Sequence, residues 1–352
     1  MQATHSIPDQ KQELLVSHQE GCQAVIGVSL DGWERKTFFG ESSFEEGGHR
    51  VEWLTEMKSK SYWERLADLQ PEVLISGWHT PFLESDFLRY ELPSLKYICH
   101  VPGSVRHVVP RDFIERGGLV TNWGGSISQM VAEHALLLVL ACLRNISQWR
   151  QVIAQRESGK EVVFFSKTLF ERRVGIHGMG AVARHLANLL RPFGCTLKGY
   201  SSGVPSRVFL SAGVQGVASL EELFSESDIL VECEALTKET SGAVTRALLE
   251  LLPEDAVFVN VGRGAVVDEQ ALLEMAAVGR VRVGLDVLQR EPVRIVDPAM
   301  STQGVLVSPH IAGPTHDRLR SCGQFAIENV RRYFANEPLE GQVTLAVYDR
   351  ST

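Results

Sequence analysis

The sequence predicts an α/β fold of two domains with parallel sheets. Three observations carry that prediction. Short apolar runs ended by Gly or a polar turn alternate with segments of helical spacing along most of the chain. A glycine-rich turn, Gly178-Met179-Gly180-Ala181-Val182-Ala183, stands directly between a strand pattern and a helix pattern. The length, 352 residues, suits two domains of about 100–200 residues each.

The elements follow in order. Residues 1–24 read as an irregular leader, 24–29 as a strand and 51–54 as a second strand. Residues 62–69 have helical spacing, and 72–76 form an apolar strand ended by Gly77. Strands at 95–100 and 119–122 flank a helix at 111–116, which Gly117-Gly118 closes. Residues 128–153 read as one long helix. Val131, Ala135, Leu138 and Cys142 recur at helical spacing with further apolar residues between them. A helix apolar on most sides is buried, here between two domains. A loop over 160–173 opens a second series. Its strands fall at 174–177, 196–200, 229–233, 256–261, 281–287 and 305–308, and its helices at 181–190, 220–224, 245–252 and 269–277. Six strands with crossovers are what a dinucleotide-binding sheet requires. A last helix, 317–335, folds back onto the first domain.

Composition narrows the function classes. Hydrophobic residues are 44% and charged residues 22%, which argues against disorder and fibrous architecture. The net charge of −8 argues against nucleic acid or an anionic membrane as main partner. Cys22, Cys99, Cys142, Cys195, Cys233 and Cys322 are scattered and form no C-x-x-C pair. That spacing suits reduced thiols in a cytoplasmic enzyme and offers no zinc site. The N-terminus does not read as a signal peptide, and the apolar run 135–143 is far shorter than the about 20 residues a membrane helix needs.

The glycine turn has the form G-x-G-x-x-A. Gly178 permits the tight turn, Gly180 admits a pyrophosphate to the backbone, and Ala183 allows close helix–strand packing. The helix N-terminus adds N–H groups and a positive dipole. The next strand should end in an acid for the ribose 2′-hydroxyl of NAD. It ends Tyr200-Ser201-Ser202 instead, with Arg207 downstream. The cofactor is therefore NAD or NADP. The missing acid tilts the reading towards NADP, while Ser201 bonded to a ribose of NAD is the alternative.

Three later strand ends carry polar residues: Asn260-Val261-Gly262-Arg263, Asp286-Val287 with Glu291 shortly after, and Pro309-His310-Ile311-Ala312-Gly313. In open α/β sheets, ligands bind outside the carboxyl ends of the strands, so Arg263, Glu291 and His310 converge. Arginine grips a carboxylate with a planar fork. Histidine moves a proton near neutral pH, and a neighbouring carboxylate fixes its tautomer. Read singly, each has a plainer explanation: a surface charge, a solvated loop acid, a satisfied loop histidine.

The runs GIHGMGAVA, VNVGRGAVVDEQALL, GLDVLQREP and SPHIAG, in that order, resemble the D-isomer-specific 2-hydroxyacid dehydrogenase family. LISGWHTPFL, RGGLVTN and MVAEHALLLVLACLR extend the resemblance over about residues 72–332. The resemblance implies two Rossmann-like or flavodoxin-like domains, with the nucleotide-binding domain inserted into the substrate domain. The boundaries expected are 1–124 with 315–352 for the substrate domain and 125–314 for the nucleotide-binding domain. It implies a hydride transfer between NAD or NADP and C2 of a 2-hydroxy or 2-keto acid. Arg263 would bind substrate carboxylate and carbonyl, His310 would be the acid/base, and Glu291 would pair with it. The formate-oxidising branch has glutamine at the place of Glu291, so the acid argues for hydroxyacid chemistry. Gly178, Met179, Gly180, Ala181, Val182, Ser201, Glu234, Val261, Gly262, Arg263, Asp286, His310 and Gly313 would meet the cofactor, with Asp286 near the nicotinamide. A homodimer using the 128–153 region is also implied.

Two segments depart from the family pattern. The substrate loop usually has acidic and amide residues. Here Val101, Pro102, Gly103 and Arg106 stand there, so Arg106 either selects a larger or more acidic substrate or pairs within its own domain. His79, on the preceding loop, is a further candidate. Glu234 replaces a residue of the family's H-C-P-L-T run and faces the cofactor edge, either repelling a 2′-phosphate or bonding a ribose. A dinucleotide-sensing binding protein of the corepressor type, on the same fold, is the alternative function.

Overall fold

A computed structural model describes residues 23–40, 48–161 and 163–350. The expected leader over 1–24, save its last two residues, and Cys22 lie outside the described residues.

The first part of the chain runs β1 (Val25–Ser29), α1 (Gly32–Phe39), β2 (Arg50–Trp53), α2 (Lys60–Leu69), β3 (Val73–Ser76), β4 (Tyr97–His100), α3 (Arg111–Glu115) and β5 (Leu119–Thr121). Its five strands pair in parallel in the order β2-β1-β3-β4-β5. β3 and β4 are buried along their whole length, which is why they read as unbroken apolar runs rather than alternating ones.

The second part runs α4 (Ser128–Leu143), α5 (Trp149–Glu157), β6 (Arg173–His177), α6 (Ala181–Leu190), β7 (Thr196–Tyr200), α7 (Ser206–Ser211), β8 (Gln215–Gly216), α8 (Leu220–Ser225), β9 (Ile229–Glu232), α9 (Arg246–Glu250), β10 (Ala256–Asn260), α10 (Glu269–Ala277), β11 (Val281–Leu285), α11 (Pro298–Ser301) and β12 (Val305–Val307). Its parallel sheet has seven strands, β12-β11-β10-β9-β6-β7-β8. The chain starts at β6, leaves by β7 and returns to β9, so the strand order reverses between β6 and β9. In a doubly wound sheet the ligand crevice opens at such a reversal.

Two closing helices, α12 (Leu319–Phe334) and α13 (Leu345–Arg350), return to the first sheet. Leu319, Cys322, Ala326 and Val330 of α12 share a core with Ile26, Val28, Phe38 and Tyr97.

Three expectations need correction. The 128–153 stretch is not one helix: α4 ends at Leu143, Asn145 takes a left-handed φ of +50°, and α5 sets off at 55° to α4. The composition in fact turns polar at the break, over Arg144-Asn145 and Ser147-Gln148, a local signal that the one-helix reading passed over. The second sheet has a seventh strand, β8, whose two residues are exposed and so carry no apolar signal. Helix α1 was not foreseen, although Asp31 and Glu34 form a capping box across its first turn.

Most of α4 is buried, as its composition implied, and Leu137 is left exposed. Val131, Ala135, Leu138 and Cys142 pack with Val174, Ile176, Ala183 and Val259 of the second sheet's layers. The Arg282 guanidinium, bonded to Asp255, donates to the carbonyls of Cys142 and Leu143 and ties the C-terminus of α4 to β11. No single described helix is long and apolar enough to cross a membrane.

Candidate active site at the strand ends of the second sheet

The glycine turn sits at the end of β6, with α6 starting just beyond it. Gly178 has φ +91°, a conformation that L side chains rarely adopt. A Cβ there would also lie 2.7 Å from Glu234 N and Cα. Its N–H donates to Tyr200 O (2.8 Å), which fastens the turn to β7. Around Gly180 the space is open: a Cβ would meet nothing within 4 Å. A cradle closed behind Gly178 and open above Gly180 fits a pyrophosphate approaching the backbone amides. Met179 is buried and Ala181 and Val182 are half-buried along the rim.

Beneath the turn lies a pair that the sequence did not disclose. His177 Nδ1 is 2.6 Å from Glu232 Oε2, and both residues are buried. Burial pulls the imidazole down, but the charge and hydrogen bond of Glu232, helped by Glu234, outweigh it and hold His177 above its usual range. Glu232 Oε1 accepts the Glu234 N–H (2.7 Å). Glu234 Oε2 in turn accepts from Ser201 Oγ (2.6 Å), and Oε1 from the Ala235 N–H (3.0 Å). The strand end that lacks an acid is thus met by one from β9.

The polar residues at β10, β11 and β12 converge. Asn260 shapes the turn after β10: its Oδ1 accepts the Gly262 N–H (2.9 Å) and its Nδ2 donates to Arg263 O (3.1 Å). Arg263 Nη1 donates to Gly262 O (2.8 Å). Burial lowers the Arg263 guanidinium from its usual range, and the nearby Glu291 charge opposes that. Gly264 lets this turn press on the loop after β11, because a Cβ there would sit 2.0 Å from the Leu288 carbonyl carbon. Glu291 Oε1 accepts the Leu288 N–H (3.1 Å), and its Oε2 stands 2.6 Å from His310 Nδ1. His310 has φ +54°, held by its N–H to Asp286 O (2.9 Å). A cavity of about 340 Å³ opens over Glu291, Pro292, Pro309 and His310.

Asp286 is buried and its oxygens are engaged inside the protein. They accept from Ser308 Oγ (2.6 Å) and from the Ile311 (3.0 Å) and Ala312 (3.1 Å) N–H groups. His134 on α4 bonds Ser308 (2.8 Å) and lies 3.4 Å from Asp286. Asp286 therefore shapes the 310–313 loop. His134 was missed, though a lone histidine on an otherwise apolar helix was a signal. Val261 and Gly262 are buried in the floor, and Gly313 is half-buried beyond the loop.

On the first sheet, the loop after β4 holds Val101 and Pro102 buried and Gly103 half-buried. Asn122 Nδ2 donates to Gly103 O (2.5 Å), and the Trp123 N–H to Pro102 O (3.2 Å). Arg106 turns away: its guanidinium lies 5.7 Å over the Tyr348 ring and hydrogen-bonds that residue. His79 Nδ1 is taken by Asp31 (3.0 Å) and lies 3.4 Å from Glu34.

Two parallel sheets and a glycine turn at a strand-order reversal are the architecture of a nicotinamide-dependent oxidoreductase, and the comparisons bear that class out. The sequence profile described as D-isomer specific 2-hydroxyacid dehydrogenase, NAD binding domain, matches residues 136–312. The chain is 31% identical over 287 residues to a glyoxylate/hydroxypyruvate reductase of Arabidopsis thaliana, covering 81% of this chain and 86% of that one. It is 32% identical over 228 residues to a hydroxyphenylpyruvate reductase of Plectranthus scutellarioides, covering 64% and 71%. In fold it matches a 2-hydroxyacid dehydrogenase from Ketogulonicigenium vulgare with a TM-score of 0.73 and 22% identity, covering 92% and 98%. The chain belongs to the D-isomer specific 2-hydroxyacid dehydrogenase family.

Proposed function

We propose that this protein reduces a 2-keto acid to the 2-hydroxy acid, or runs the reverse, with His310 as acid/base, Glu291 as its positioning partner and Arg263 as the substrate's anchor. The observation that carries this reading is the 2.6 Å contact between His310 and Glu291 beside Arg263. When bound, the nicotinamide supplies or accepts hydride at the substrate's C2. Arg263 offers its fork of N–H donors to the carboxylate and the adjacent carbonyl oxygen. The Glu291 carboxylate accepts from Nδ1 of His310, so Nε2 is the nitrogen left to meet the substrate oxygen. In reduction His310 gives that oxygen a proton; in oxidation it takes one. Backbone groups of Val101, Pro102 and Gly103 complete the substrate site from the first sheet.

We further propose that residues 1–124 with 315–352 form the substrate domain and 125–314 the nucleotide-binding domain. The packing of α12 on the first core and of α4 on the second supports that division. A homodimer fits the apolar side chains left exposed on and beside α4 and α5: Leu137, Trp149, Ile153 and Phe165. Among the described residues, five free, partly or fully buried thiols suit a cytoplasmic setting.

The test is a panel of glyoxylate, hydroxypyruvate, pyruvate and phenylpyruvate with NADH and with NADPH, followed by loss of reduced-nicotinamide absorbance. Turnover of at least one keto acid is expected. Dinucleotide binding with no turnover of any of them would overturn the proposal in favour of a sensing protein.

A further inference from the structure

We infer that Glu234 selects NAD(H) over NADP(H), supplying from the strand beyond the reversal the carboxylate that the end of β7 lacks. This rests on the reading of the 178–183 turn as the dinucleotide cradle.

The argument begins with position. In a dinucleotide fold the adenosine ribose lies at the end of the second strand, where an acid holds its 2′-hydroxyl. Here that strand is β7, and Ser201 follows it. Glu234 follows β9, and β6 is flanked by β7 on one side and β9 on the other. The two strand ends therefore face each other across the turn, and Ser201 Oγ to Glu234 Oε2 is 2.6 Å. The carboxylate is delivered to the second-strand position although its residue is 33 places further on in the chain.

Chemistry supplies the preference. Each Glu234 oxygen accepts one internal hydrogen bond, from Ser201 or from Ala235. A carboxylate has about four acceptor sites, so capacity remains for ribose hydroxyls. A 2′-phosphate brings about −1.5 to −2 charges and no donor, and meets a like charge. The Ser201 hydroxyl and the Ala235 N–H hold the Glu234 carboxylate, and the backbone that carries it is fixed. Its backbone is wedged between Gly178 and Gly262, whose Cβ positions would lie 2.7 Å from Glu234 N and 2.9 Å from Glu234 O. Its N–H is held by Glu232, itself anchored on His177. Arg207, the cation expected to serve a 2′-phosphate, is exposed on α7.

The test is direct binding of NADH and NADPH to the purified full chain at one ionic strength, by titration calorimetry, with no keto acid present. The wild-type protein should bind NADH at least about tenfold more tightly, because juxtaposed like charges are costly. Glu234→Gln should weaken NADH and strengthen NADPH, narrowing that ratio about tenfold or more. Ser201→Ala keeps the carboxylate and should keep the preference; a preference lost in Ser201→Ala but retained in Glu234→Gln would overturn the inference. Equal affinities in the wild type, or an unchanged ratio in a folded Glu234→Gln protein, would also overturn it. Failure to bind either dinucleotide would instead overturn the reading of the turn, and this inference with it.

Discussion

His310 Nδ1 and Glu291 Oε2 stand 2.6 Å apart although 19 residues separate them, and the contact commits that nitrogen to the carboxylate. Glu291 is itself held by the Leu288 amide, so the ring orientation is set from the backbone outward. Glu291→Gln keeps an acceptor for Nδ1–H but removes the negative charge beside the ring. We expect kcat to fall about a hundredfold, the low end of what proton-transfer groups contribute, with dinucleotide affinity unchanged. An unchanged kcat would remove Glu291 from the mechanism.

Arg263 should not tolerate lysine. The guanidinium lies on a turn that Asn260 and Gly262 fix, and a point charge cannot reproduce its fork. Arg263→Lys should lower kcat/KM for the keto acid about 10- to 100-fold, the equivalent of about 1.5–3 kcal/mol for hydrogen bonds to a charged group. Steady-state kinetics at saturating reduced dinucleotide measure this, and a kcat/KM within twofold of wild type would count against Arg263 as anchor.

The buried His177–Glu232 pair predicts a stability effect with a defined sign. His177 is held above its unfolded value of 6.5, so the folded state favours the charged imidazole. Its contribution is complete below about pH 6.5 and is lost as pH rises through the raised folded-state value. Thermal melts of wild type against His177→Gln should therefore converge with rising pH. His177→Ala leaves Glu232 without its buried partner and should cost about 3–5 kcal/mol. A difference between wild type and His177→Gln that grows with pH would contradict the pairing.

The exposed side chains of α5 predict an assembly. Trp149 is 50% and Ile153 57% exposed, one turn apart on the same helix. Changing both to glutamate should turn a dimer into a monomer, read by sedimentation velocity. A wild-type chain that sediments as a monomer would refute the homodimer proposal.

Much of this was legible in the sequence because burial writes itself plainly. β9 and β10 are buried at every position, so they appear as continuous apolar runs with a polar residue at the end, whereas β11, equally buried, carries Arg282 within it. Arg263 follows β10 and His310 follows β12, which is how the sequence marked them as candidates. What stayed hidden depended on distance in space. Nothing in the order of residues told that Glu234 reaches Ser201, or that His177 meets Glu232 at a separation of 55. Arg106 was ambiguous because both of its readings used the same charge. The ring that Arg106 overlies, Tyr348, comes from near the other end of the chain and could not be read from the loop itself. The Asp31–Glu34 capping box, by contrast, was a local signal available before the structure.

The central claim, that His310 is the proton carrier of a keto acid reductase, is tested most directly by His310→Ala. Turnover of the best keto acid and dinucleotide affinity should be measured on the same preparation. The expected result is a kcat lower by about 10²–10⁴ with dinucleotide affinity within a fewfold of wild type. An unchanged kcat with normal affinity would contradict the account.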